Sequence, residues 1–124
     1  MYFRIKTLSK QNMKVEAKNL FTAFVEWIEY FERSPVNDIT VHEITKEEYL
    51  NIEEGVVLHR AQFEKEDKFI GEGFRVQVTR GPGRGSKRMV IPASSFSEAT
   101  DIFLEEEGLK SSSREDLFYM VLNL

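Results

Sequence analysis

A chain of 124 residues, 41% hydrophobic and 31% charged, is one domain's worth of polypeptide. It has no Cys, two His and no apolar run near the ~18 residues a membrane span needs, which excludes disulfides, thiolate chemistry, a His-rich metal cage and a spanning helix. The start, MYFRIKTLSK, lacks the apolar stretch of a secretory leader, so a cytoplasmic protein with no membrane partner is expected, at a net charge of −4.

In chain order, Phe3, Ile5 and Thr7 alternate with Tyr2, Arg4 and Lys6, the period of a half-buried strand. Met13, Val15 and Ala17 alternate with Lys14, Glu16 and Lys18 in a second strand. Asn19 is placed to cap a helix whose Leu20, Ala23, Phe24, Trp27, Ile28 and Phe31 form one apolar stripe. Ser34-Pro35 stops that helix, and Asp38 to Ile44 is a third strand. Thr45 with Glu48 is a capping box opening a short helix over residues 46–53. Val56-Val57-Leu58 reads as an extra strand and Glu64 to Lys68 as a charged turn. Phe74, Val76 and Val78 then face inward, Gly81-Pro82-Gly83-Arg84 suits a type II turn, and Met89, Ile91 and Ala93 form the returning strand. Ser95 with Glu98 is a second capping box, Phe96, Ala99, Phe103 and Leu104 a second stripe, Gly108 its stop, and Leu117 to Leu122 the last strand.

The order repeats. Val15, Ala17, Leu20, Phe21, Ala23, Trp27 and Ile28 fall opposite Ile91, Ala93, Phe96, Ser97, Ala99, Phe103 and Leu104 at a constant offset. Phe3-Arg4-Ile5-Lys6 matches Phe74-Arg75-Val76-Gln77, and Ile39-Thr40-Val41 corresponds loosely to Leu117-Phe118-Tyr119. The expected fold is α+β: an internally duplicated β-β-α-β unit forming one pseudo-twofold domain, an antiparallel sheet with the helices on one face. The boundaries are 1–45 for the first repeat, 46–72 for a structured connector and 73–124 for the second repeat.

The junction Ile91-Pro92-Ala93-Ser94-Ser95-Phe96-Ser97-Glu98-Ala99, between a strand with a charged loop and a C-terminal strand, resembles a family of uncharacterised domains from Bacteroidetes and their phages. That resemblance covers most of the chain outside 55–73. It implies the duplicated fold and a bacterial or phage origin, and it brings no catalytic residue.

Charge is segregated. Residues 1–18 carry Arg4, Lys6, Lys10, Lys14 and Lys18 against Glu16, and residues 74–93 carry Arg75, Arg80, Arg84, Lys87 and Arg88 with no acid. The strand period places Tyr2, Arg4, Lys6, Lys14 and Lys18, and in the second half Arg75, Gln77 and Arg88, away from the helices. A basic sheet face with an aromatic beside it is how single-stranded nucleic acid is held. Lys and Arg are also ordinary on the solvated face of an antiparallel sheet.

Other chemistry is weaker. Residues 81–87, GPGRGSK, lack the Gly-Lys-Ser/Thr end of a phosphate loop and precede a strand where that motif needs a helix. His42 beside Glu43, and His59 after Val56-Val57-Leu58, invite a general-base reading, but neither has a nucleophile at a readable spacing. The carboxylates around 47–54, 64–67 and 105–107 fit no metal loop.

The chain is therefore read as a non-enzyme with no catalytic residue, metal or cofactor. Two functions stay open. One is single-stranded DNA or RNA binding through Arg4, Lys6, Lys14, Lys18, Arg75, Arg80, Arg84, Lys87 and Arg88. The other is docking on a host or phage protein through acidic helices, as a phage-encoded inhibitor would. They separate on whether the two basic hairpins share one surface.

Overall fold

The fold was read from a computed structural model, which describes residues 1–7, 12–32, 39–52, 56–69, 74–81, 88–109 and 116–123. The strands are β1 (Tyr2–Lys6), β2 (Asn12–Glu16), β3 (Thr40–Ile44), β4 (Val57–Arg60), β5 (Phe74–Arg80), β6 (Arg88–Pro92) and β7 (Leu117–Asn123). The helices are α1 (Leu20–Phe31), α2 (Lys46–Asn51) and α3 (Phe96–Glu107). All seven strands form one sheet in the order β4-β2-β1-β3-β7-β5-β6.

Outward from the β3–β7 seam, β1 and β5 come next and β2 and β6 after them, each pairing antiparallel. The two halves thus match in order and pairing. The connector breaks the match, because β4 adds to β2 in parallel, with Met13 opposite Val57 and Val15 opposite His59.

Period-two burial assigns the faces. Phe3, Ile5, Met13, Val15, Val41, Val76, Val78, Ile91, Leu117, Tyr119 and Val121 are buried in one cluster with Ala23, Phe24 and Trp27 of α1 and Phe96, Ala99, Phe103 and Leu104 of α3. The two long helices therefore cover the same face. Phe96 is the aromatic hub: Phe24, Phe69 and Tyr119 meet its ring edge-on at 5.0–5.7 Å, the geometry aromatic quadrupoles favour.

The helix ends follow their cap chemistry. Asn19 and Ser95 accept from the N–H groups of Thr22 and Glu98. Glu98 completes its capping box one residue early, taking the N–H and hydroxyl of Ser94, and those bonds hold its carboxyl below the usual range. Gly108 ends α3 in the left-handed region at φ 64°. Glu32 ends α1 there at φ 50° without being glycine, a conformation that is strained for a residue with a Cβ. The Ser34-Pro35 stop and the turn at 82–84 lie outside the described residues.

The connector binds the halves together. Lys65 exchanges bonds with Thr22, its N–H reaching the hydroxyl at 2.8 Å, and its carbonyl accepts from Asn19. Two residues on, the Asp67 carboxylate accepts from the N–H groups of Phe96 and Ser97 at 3.0 and 2.9 Å. One segment therefore grips the starts of both long helices: it holds the Asn19 and Thr22 side chains at α1, and at α3 its carboxylate satisfies two free N–H groups where negative charge is also favoured. Phe69 follows, its N–H on the Ser94 carbonyl and its ring against Phe21 and Phe96.

Candidate nucleic-acid interface

The face of the sheet away from α1 and α3 carries the outward half of every strand. Register places Leu58, Lys14, Arg4, His42, Phe118, Thr79 and Arg88 in one row across all seven strands. The next row runs Asn12, Lys6, Thr40, Met120, Gln77 and Val90. Arg75 stands beyond it, opposite Leu122 and Pro92. At ~4.8 Å per strand, Arg4 and Arg88 are separated by four steps, roughly 19 Å. Arg4, Lys6, Arg75 and Arg88 thus share one face.

None of these four cations has an ion-pair partner among the described residues. Arg4 is half-buried, and its Nε is enclosed with no hydrogen-bond acceptor. A cation partly withdrawn from water and without an acceptor gains from an anion that reaches its outer nitrogens. Lys6 is exposed, and its ammonium is held below the usual lysine value by partial burial and by neighbouring Arg4.

The other basic residues named from the sequence differ. Lys14 is on this face, but its ammonium donates to the carbonyls of Tyr49 and Ile52, both at 2.7 Å, and sits 4.8 Å from the Tyr49 ring centre. Two of its three N–H donors are thus spent on the protein's own carbonyls. Tyr2, expected beside the cations as a stacking aromatic, is 4.7 Å from Tyr49 instead. The cause is α2, which lies on this face over the first half, so the expectation of helices on one face holds for α1 and α3 alone. Lys18 is exposed between β2 and α1, beyond the sheet. Arg80 is exposed at the end of β5 opposite buried Leu117, which puts it in register with the helix-covered side. Arg84 and Lys87 lie outside the described residues.

At the seam the face is concave. A groove of about 360 Å³ is lined by Arg4, Lys6, His42, Glu48, Asp116 and Phe118, with Gly81 at its rim. The His42 and Phe118 rings stack at 3.9 Å and 10°. The His42 Nδ1 lies 3.0 Å from the Leu117 carbonyl; a carbonyl only accepts, so this nitrogen carries the proton and Nε2 keeps its lone pair in the neutral ring. Burial lowers the His42 pKa, against the Leu117 bond, Glu48 and Asp116, which raise it; Lys6 adds to the lowering. Gly81, at φ 69°, donates its N–H to the Asp116 carbonyl at 2.5 Å and tethers the end of β5 to the start of β7.

The His42–Glu43 pairing does not form. His42 faces the groove, whereas Glu43, opposite Phe3, faces the helices. His59 is 2.8 Å from Glu26 of α1, an ion-pair contact without a directed hydrogen bond. No three metal-ligating side chains converge among the described residues, and none of their helices is long and apolar enough to cross a membrane. The groove itself was not read from sequence. Outward Phe118 between buried Leu117 and Tyr119 was the available signal. The approach of Glu48 and Asp116 had none.

Comparison with family models, with characterised proteins and with solved structures finds no match to this chain.

Proposed function

We propose that the protein is a small accessory factor, of bacterial or phage origin, that binds single-stranded DNA or RNA on its open sheet face and performs no catalysis. One observation carries the reading: Arg4, Lys6, Arg75 and Arg88 lie on one face of one sheet without ion-pair partners among the described residues, in a chain whose net charge is −4. A broad sheet face with the His42–Phe118 stack between its cations suits unpaired bases and a flexible backbone better than a duplex groove, which takes a projecting helix or ribbon.

The test is fluorescence anisotropy with labelled single-stranded DNA, RNA and duplex DNA across a salt series. Single strands are expected to bind more tightly than duplex, with a log–log salt slope of about −3 for four phosphate contacts. The Arg75→Glu/Arg88→Glu variant is expected to lose at least tenfold in affinity. Absence of binding at low salt overturns the reading.

A second reading has its own observation. Helix α3 exposes Glu98, Asp101, Glu105 and Glu106 and contains no basic residue. Docking of a basic surface of a host or phage protein there is favoured if no nucleic acid binds.

A further inference from the structure

The groove is electrically graded, and that grading points to a particular base. Lys6 stands one row from Arg4 along β1, while Glu48 and Asp116 close the opposite end, where α2 begins and β7 starts. Carboxylates repel a phosphate, so plain backbone tracking gives this end of the groove nothing to do. They accept hydrogen bonds and, when ionised, donate none. Glu48 is already engaged, accepting from the Thr45 hydroxyl at 3.3 Å in its capping box. The Asp116 carboxylate is exposed beside Phe118 with no side-chain hydrogen bond among the described residues.

We propose that the groove is a guanine subsite: the base lies against the stacked His42–Phe118 pair, its N1–H and N2–H groups donate to the Asp116 carboxylate, and its phosphate falls on Arg4 and Lys6. This rests on the single-strand reading above. Guanine alone among the common bases offers two adjacent donors on its pairing edge. Adenine and cytosine set one amino group beside a bare ring nitrogen, and uracil and thymine set one N–H between two carbonyls; each turns a lone pair toward the second carboxylate oxygen. A volume of about 360 Å³ is near the lower end of ligand sites, roughly 300 Å³ and up, and so suits one nucleotide. The Leu117 carbonyl holds the His42 ring parallel to Phe118 before any ligand arrives, which lowers the ordering cost of stacking.

The experiment measures uridine strands carrying one central guanosine, inosine or adenosine, with calorimetry of guanosine monophosphate alongside. Guanosine is expected to raise affinity about tenfold over uridine, within the range of a good bidentate contact. Inosine, which keeps N1–H and lacks the N2 amino group, falls between them, and adenosine gives no gain. Asp116→Asn, an exposed and nearly isosteric change, removes the guanosine advantage, while all-uridine binding persists and tightens slightly because a charge that repels phosphate is lost. Equal binding of all four strands with a normal salt slope overturns the guanine subsite and spares the single-strand reading. Binding of the mononucleotide, lost in Asp116→Asn, without strand binding supports the subsite for a free nucleotide and overturns the strand reading. No binding of either overturns both.

Discussion

The two halves of the sheet start from the same strand pattern and finish with different open faces. In the first half, Lys14 is fastened to the carbonyls of Tyr49 and Ile52, and Tyr2 packs on Tyr49. In the second, Arg75 and Arg88 remain exposed at equally outward positions. The hairpins themselves do not differ in kind. What differs is the segment after the third strand of the first half, which folds back over that half as α2 and then pairs as β4. An outward basic residue on a strand is thus either a surface cation or an anchor for whatever covers it, and the covering element decides.

The strongest way to break the comparison is to attack what the halves share. Phe96→Ala removes the ring on which Phe24, Phe69 and Tyr119 converge and is expected to cost about 3–5 kcal/mol. Chemical denaturation followed by Trp27 fluorescence and by circular dichroism should still give one coincident transition. Two separated transitions would show that the halves unfold independently.

A smaller and sharper test separates the two kinds of cation. Lys14→Ala strands two carbonyls beneath α2 and is expected to cost about 1–3 kcal/mol of stability while leaving strand affinity within about twofold, since that ammonium already has its partners. Arg75→Ala should do the reverse: stability within about 0.5 kcal/mol of the parent, and a salt slope reduced by about 0.7. Equal effects of the two on affinity would erase the distinction between the halves.

The smallest effect is in pH. His42 sits at the seam with its pKa lowered by burial from 6.5, so on acidification the unfolded chain takes up this proton first. Stability is therefore full above pH 6.5, declines as pH falls below it, and stops declining from this cause once the folded-state value is passed. His42→Gln should flatten that part of the profile, measured as unfolding free energy against pH. Glu98, whose pKa is lowered from 4.5, contributes a separate loss at more acidic pH and leaves the His42 window unaltered.

Much of the fold was legible in the chain. Alternation at Phe3–Ile5, Met13–Val15 and Val76–Val78 assigned the inward residues correctly, and Asn19, Thr45 and Ser95 marked the three helix starts. Both signals are local, since a strand repeats every two residues and a cap acts within one turn. The site was legible only in outline. Outward positions on β1, β5 and β6 followed from the same alternation, so Arg4, Lys6, Arg75 and Arg88 were placed on the open face. The same alternation misplaced Lys14 and Tyr2 as free surface, because it says which way a side chain points and nothing of what meets it there. Arg80 ends β5 one residue after outward Thr79 and so falls on the opposite parity.

By itself, then, the sequence determined which residues are strand or helix and which side of each faces apolar surroundings, because those follow from period and capping over a few residues. The tertiary structure alone decided that His42 bonds the Leu117 carbonyl across 75 positions and that Asp67 caps α3 from 29 positions away. It also decided that α2 occupies the open face of one half, while no described helix covers that of the other. Such contacts depend on strand order, register and the landing place of the connector, which are set by the joint burial of one shared core and are encoded at no single stretch of the chain.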